Sequence, residues 1–564
     1  MIGYAALRVI GSRIQRESAF DDERESPVMQ RRVFLETLAK LGVIAGASPF
    51  LPTGVAHSTE AKTPVEGGTL IVTTSAEPTV LVSAYDSNMS ICMVGSKILE
   101  GLVTYDVDLN PVPALAKSWE VAADGLSVTF HLRENVLWHD GKPFTAEDVA
   151  FSLLNVWKIH HPFGRAVYAN VTGVETPDDH TVVIRLSGPA QYIFAYINTY
   201  GSQILPKHIY EGTDIRTNPA NLAPIGTGPF VFKEWQRGSH VRLGRNPNYW
   251  QAGRPHLDEV VFRFIPDAAA RAVAVESGEV HLALGSAIPI ASLGRFADQT
   301  KYRINTDDGR FLSSIYLVQF NTRRPYLADR RVRQAFLHAV DREALRRLVF
   351  RGYGKIATGP VPSSVKKYYT DQTPQYPFDP KRAAALLDEA GFPAKADGSR
   401  LKVTLDYGSP DDQRQVDFIK QYLGKIGVEV ELRNSDISTY LRYIYTDQDY
   451  DLSVSSLHML PDPTLGVQRL YWSKNIRKGA PWTNGAGYSN PDLDRIMEAA
   501  QKENGDQERR ELIHQWQRIA QEDLPILDLI ELTWVTIASQ RVIQSSQQGD
   551  GLFASLADVW LDKA

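Results

Sequence analysis

His139 and Asp140 are neighbours in "NVLWHDGKPFTAEDV", and both are residue types that hold metals or move protons. Their setting argues for a turn instead. "HDGKPF" follows an alternating segment and precedes a helix start, and Asp-Gly is turn chemistry. His160 and His161 are adjacent, so in a helix or a strand their side chains diverge and the pair alone makes no chelate. "PIGTGPF" (224–230) has the glycines of a phosphate loop but lacks the third glycine at the required spacing and a following Lys-Ser/Thr. It reads as a tight corner leading into "FVFKEW". The single cysteine, Cys92, excludes an internal disulfide and a thiolate metal cluster. No G-x-S-x-G, H-E-x-x-H or paired-cysteine stretch is present, so the motifs favour binding over catalysis and call for no cofactor.

A different kind of chemistry is suggested near the start. Arg31 and Arg32 precede "VFLETLAKLGVIAGASPF", an apolar run diluted by glycine and interrupted by Lys40. Paired arginines before a weakly apolar core, with "GVA" ending at Ala56 as a small-residue cleavage site, match a twin-arginine export signal. Signals start close to their charged region, so translation is expected to begin at Met29. No cysteine follows the apolar run, so no lipid anchor is expected.

The 564 residues are too many for one core and enough for two or three domains. Hydrophobic residues make up 43% and charged ones 23%, as in ordinary globular chains. The net charge of −5 gives no strong field for nucleic acid or an anionic membrane. No run of apolar residues is long enough to span a bilayer. Strands are expected at "TLIVTT" (69–74) and, from strict alternation, at "LSVTFHLR", "TVVIRL" and "VVFRFI". Helices should start at the caps Thr145, Asp379 and Asn490. "LKVTLDYG", a helix through Val416, Ile419 and Leu423, and "VEVEL" predict a strand–helix–strand unit. The polar "AHSTEAKTPVEGG" (56–68) suits a linker. The whole is an α/β mixture in at least two lobes.

Several longer stretches carry a family resemblance. "LAKSWEVAADGLSVTFHLRENVLWHDGKPFTAEDVAFSL", "PIGTGPFVFKEWQRGSHVRLGRNPNYW", "LDEVVFRFIPDAAARAVAVESGEVHLAL", "FNTRRPYLADRRVRQAFLHAVDREAL", "FDPKRAAALLDEAGF" and "GYSNPDLDRIMEAA" occur in family order and cover nearly everything after Gly67. They resemble the family 5 solute-binding proteins of bacterial ABC importers for peptides, opines and nickel. The resemblance implies a two-lobed periplasmic-binding-protein fold of type II, three-domain build, with a hinge and an interlobe cleft. Residues 1–66 would be leader, signal and linker. Residues 67–112, 222–320 and 530–564 would form a discontinuous lobe I, with 113–221 an inserted subdomain. Lobe II would span 321–529, with crossings near "QFNT" and "LPILDLIELT". It further implies a monomer in the periplasm that closes on a small solute and presents it to membrane permease subunits. An exported hydrolase using the same cleft and a ligand-sensing receptor are the alternatives.

In peptide-binding members an aspartate holding the ligand's α-amine precedes an Asp-Pro pair. Here the pair is Asp462-Pro463, and the amine position falls on Met459 or Leu460, which carry no charge. Ordinary peptides with a free ammonium should therefore bind poorly, unless Asp462 substitutes. His458, Met459, Tyr471, Trp472, Trp482 and Asn484 surround this stretch and are ligand candidates, the tryptophans by stacking. Glu77 and Trp157 stand where family members often line the cleft. One histidine in this stretch is too few for a metal.

Overall fold

Thr69–Thr74 lies at the centre of a seven-stranded mixed sheet, the core of the first lobe. The structure is a computed structural model and describes residues 63–544 and 548–563. The expected export segment, with Met29, Arg31 and Arg32, lies outside the described residues. Thr69–Thr74 runs parallel to Glu259–Phe264 on one side and to Leu282–Ala283 on the other. Beyond Glu259–Phe264 come the antiparallel His240–Arg245 and Phe230–Gln236. At the other edge, Thr536–Ser539 joins Leu282–Ala283 to Tyr302–Asn305. Strands from three distant stretches of chain, 69–74, 230–305 and 536–539, thus make one sheet.

The inserted sheet is antiparallel, in the order Ala116–Val121, Ser127–Leu132, Thr181–Leu186, Val171–Asp178. Its alternation is that of the sequence: Val128, Phe130 and Leu132 point inward, as do Val182, Ile184 and Leu186. Against it packs a helix that begins at Ala146, where the Asp148 carboxylate accepts from the Thr145 backbone N–H at 2.9 Å. That helix widens to a π-turn over Ser152–Trp157.

The second lobe is built on six strands ordered Lys355–Ile356, Ile526–Leu532, Ser313–Phe320, Leu452–Met459, Leu401–Tyr407, Val428–Asn434. The expected strand–helix–strand unit is there: Leu401–Tyr407 and Val428–Asn434 pair in parallel, joined through the helix Gln413–Gly424. Asp379 and Asn490 cap the helices Pro380–Glu389 and Pro491–Lys502.

The crossings differ from expectation. The chain passes between the two large sheets at 306–312 and returns at 533–535. "QFNT" is instead the end of a strand that starts at Ser313, so the second lobe begins before residue 321 and runs past 529 to Leu532. "SSIYLVQF" is buried at every position, so it lacks the alternation that marks a half-buried strand.

The two glycine-rich signals are structural. A side chain on Gly226 would meet the Ile98 carbonyl at 1.8 Å, which explains glycine at this corner. His139 accepts from the Gly226 N–H and sits 2.9 Å from the Gly228 carbonyl, and burial lowers its pKa to about 4, so it braces the corner as a neutral ring. Asp140 pairs with His208 at 2.7 Å. Among the described residues no cluster of ligating side chains could hold a metal ion, and no helix is long and apolar enough to cross a membrane.

Candidate functional site

Between the lobes lies a cavity of about 310 Å³. Ser87, Phe163 and Tyr200 reach it from the first lobe and its inserted part, and Ser456, His458, Arg469 and Trp482 from the second. The strand Leu452–Met459 supplies its floor. Period-two alternation puts Ser456 and His458 on the open face, and turns Leu457 and Met459 inward. His458 is accessible from the cavity yet ringed by protein. Its Nδ1 is 2.7 Å from the Ser314 hydroxyl, and its ring is 5.8 Å from that of Trp534. Burial, then the nearby Arg469 charge, pull its pKa down to about 4, so it is neutral at neutral pH. Trp482 holds a left-handed backbone (φ 60°) and meets Tyr445 edge-on at 6.0 Å, which fixes its ring at the cavity wall.

The remaining candidates lie elsewhere, and each has a structural task. Met459 is 1% exposed and packs into the second lobe's core, because it is out of phase with His458 on the same strand. Trp157 is fully buried in the inserted part; its indole donates to the Gln203 carbonyl at 2.8 Å and stacks on Tyr168. The Glu77 carboxylate accepts from the Trp235 indole at 2.9 Å and the Gly238 N–H at 3.0 Å, tying the first strand's end to a hairpin. Tyr471 is core, its hydroxyl 3.4 Å from Asp528. Trp472 turns its indole to Glu498 at 3.1 Å, away from the cavity. Asn484 is buried and bonds the Tyr488 carbonyl and N–H, bracing its own loop.

Asp462 borders a second interlobe cavity, also about 310 Å³, with Trp119 and Phe194. Both its oxygens are taken: each lies 2.9 Å from a guanidinium nitrogen of buried Arg509. It also accepts from the Thr464 N–H at 2.9 Å, so it is a turn cap as well. Its charge is thus already matched by Arg509.

The sequence reasoning missed Arg469. It sits on a short 3-10 turn, Gln468–Leu470, flanked on each side by buried residues in "VQRLYW". A lone cation inside a buried run was the available signal.

A larger cavity, about 690 Å³, is bordered by Thr306, Arg310 and Trp534. These belong to both crossings, so its shape follows any bending there. The cavity at His458 has walls from both lobes, the inserted part included, and presents Arg469 and the hydroxyls of Ser87 and Ser456 within them, which makes it the better candidate for capture.

Two sheet-based lobes, two crossings and a walled cavity between them define a hinged α/β binding protein. Residues 110–479 match the family described as bacterial extracellular solute-binding proteins, family 5. The oligopeptide-binding protein AppA of Bacillus subtilis is 30% identical over 482 residues, 82% of this chain and 86% of that one. Heme-binding protein A of Haemophilus influenzae is 28% identical over 82% of this chain and 84% of its own. Among solved structures, the substrate-binding protein CtaP of Listeria monocytogenes superposes with a TM-score of 0.77 at 28% identity, covering 88% of this chain and all of that one. This chain belongs to family 5 of the bacterial extracellular solute-binding proteins and has their two-lobed periplasmic-binding-protein fold.

Proposed function

We propose that this chain is the solute-capturing component of an ABC importer, exported by its twin-arginine segment and working in the periplasm as a monomer without a lipid anchor. The observation that carries the reading is the cavity walled from both lobes. A solute held there touches both walls only when the lobes are together, so it stabilises the closed form over the open one. The crossings at 306–312 and 533–535 are the hinge. The solute is a peptide-like, opine-like or glycoside-sized molecule, and the closed form is what the membrane permease subunits receive. Relatives named for oligopeptides and heme support capture of a sizeable organic solute.

Protein purified under native conditions and analysed by mass spectrometry should carry, or stoichiometrically take up, one solute without converting it. Turnover of the solute would overturn the reading in favour of an exported enzyme. Export is tested separately. With Arg31 and Arg32 both changed to lysine, the precursor should stay in the cytoplasm, whereas normal export in a strain without the twin-arginine pathway would refute that part.

A further inference from the structure

The fold shows how it buries an arginine for structural ends. Arg333 is buried with its guanidinium bonded to the carbonyls of Leu327, Ala328, Asp523 and Leu524. Arg271 bonds three carbonyls and Arg342 two. Arg509 has Asp462. Arg469 is unlike all of these. Its one hydrogen bond runs from Nη2 to the His458 carbonyl at 3.1 Å. Its Nε is buried with no partner, and no carboxylate of the described residues pairs with it. The Phe163 ring lies 6.0 Å from the guanidinium, too far for a strong cation–π contact.

The surroundings give no compensation. No aspartate or glutamate lines the cavity, and His458 is neutral there. The other titratable groups facing Arg469 are tyrosines, Tyr445, Tyr200 and Tyr196, whose pKa values burial raises, so they stay neutral. Arg469 is half-buried, with its Nε shut off from water and the rest of the guanidinium partly open; with no counter-charge beside it this partial burial is unfavourable and lowers its pKa. The hydroxyls of Ser87 and Ser456, also at the cavity, have no hydrogen-bond partner among the described residues.

Resting on the capture reading above, we propose that Arg469 is the anion-binding residue of the interlobe cavity. The solute carries a carboxylate-type oxyanion, and no free ammonium at this end. The guanidinium fork suits a planar, bidentate oxyanion, and Ser87 and Ser456 can donate to the same group. An ammonium would meet Arg469 and no carboxylate, a like-charge encounter in a partly desolvated site.

The test uses a matched set: N-acetyl dipeptides, the same compounds as C-terminal amides, and the unacetylated dipeptide amides. Binding is read by calorimetry and thermal shift on the mature protein, with a metabolite extract fractionated by charge beside it. The expected result is that binders come from the acids and the anionic fraction. Their affinity should drop on the order of 100-fold in Arg469→Gln and be partly restored in Arg469→Lys. The melting temperature without solute should hold or rise in Arg469→Gln, because an uncompensated charge is removed. Binding confined to neutral or cationic compounds, unaltered by Arg469→Gln, would overturn the anion assignment and leave the capture reading intact. A fall in the solute-free melting temperature would also overturn it, by showing a structural role. If no compound or fraction of any charge bound, the capture reading itself would fail.

Discussion

Asp462 and Arg509 show how a binding-site residue and a structural one can look alike in sequence. Asp-Pro marks a turn, and the turn exists. The partner that decides the role, Arg509, is far along the chain on the helix Asp506–Asp523, and nothing local announces it. Removing the charge in Asp462→Asn strands a buried guanidinium. It should cost about 3–5 kcal/mol of unfolding free energy, measured by urea titration, while solute affinity of the folded protein stays within a few-fold. A second buried acid gives a pH signature. Glu100 accepts from the Thr227 and Tyr249 hydroxyls at 2.8 and 2.9 Å and from the Trp250 indole, and burial raises its pKa to about 7. The folded carboxyl therefore holds its proton more tightly than the unfolded one. Its contribution is fully present below pH 4.5 and is lost as the pH rises through 7, on the order of 3 kcal/mol in all. In Glu100→Gln that decline should vanish. Melting curves of both proteins at pH 4.5 and pH 8 check it: the wild-type-minus-variant difference must shrink with rising pH, and a constant difference would refute the assignment.

At the scale of elements, the half-buried strands and capped helices were legible because each carries its own signature. Val128, Phe130 and Leu132 alternate, and Asp379 and Asn490 precede prolines at helix starts. Ser313–Phe320 was not legible, since burial on both faces erases the alternation. The cavity was half legible. His458 and Trp482 lie in the stretch the sequence singled out, yet proximity in sequence could not separate them from Met459 or Tyr471. Phase along Leu452–Met459 does separate them, and it can be tested in pairs. Ser456→Trp should fill the cavity and lower solute affinity at least about 10-fold with little loss of stability, since the new ring enters open space. Met459→Ala, three residues on and facing inward, should cost about 2–5 kcal/mol of stability and leave affinity alone. Calorimetry and denaturation on both variants distinguish the faces, and the reverse pattern would show the strand's register misread.

The whole molecule joins its lobes by more than the crossings. Lys366 of the second lobe pairs with Asp108 of the first, and Gln191 of the inserted part donates to the Asn504 carbonyl. The exposed ion pair is worth little and the other link is a single hydrogen bond, so solute binding must supply most of the bias toward closure. Saturating solute should reduce the radius of gyration in solution scattering and raise the melting temperature. At a solute concentration of 100 times Kd the gain is about 2.7 kcal/mol. An unchanged scattering profile would count against a hinge. The order of the sheets also bears on how the chain is made. Tyr302–Asn305 has one neighbour in its sheet, Thr536–Ser539, and that strand is synthesised only after the entire second lobe. On the ribosome the second lobe can therefore finish folding first, while the first lobe waits with an unpaired strand until Thr536–Ser539 emerges. Chains stopped at residue 535 should protect Ser313–Phe320 from hydrogen exchange and leave Tyr302–Asn305 open, a natural checkpoint that a half-made receptor would fail.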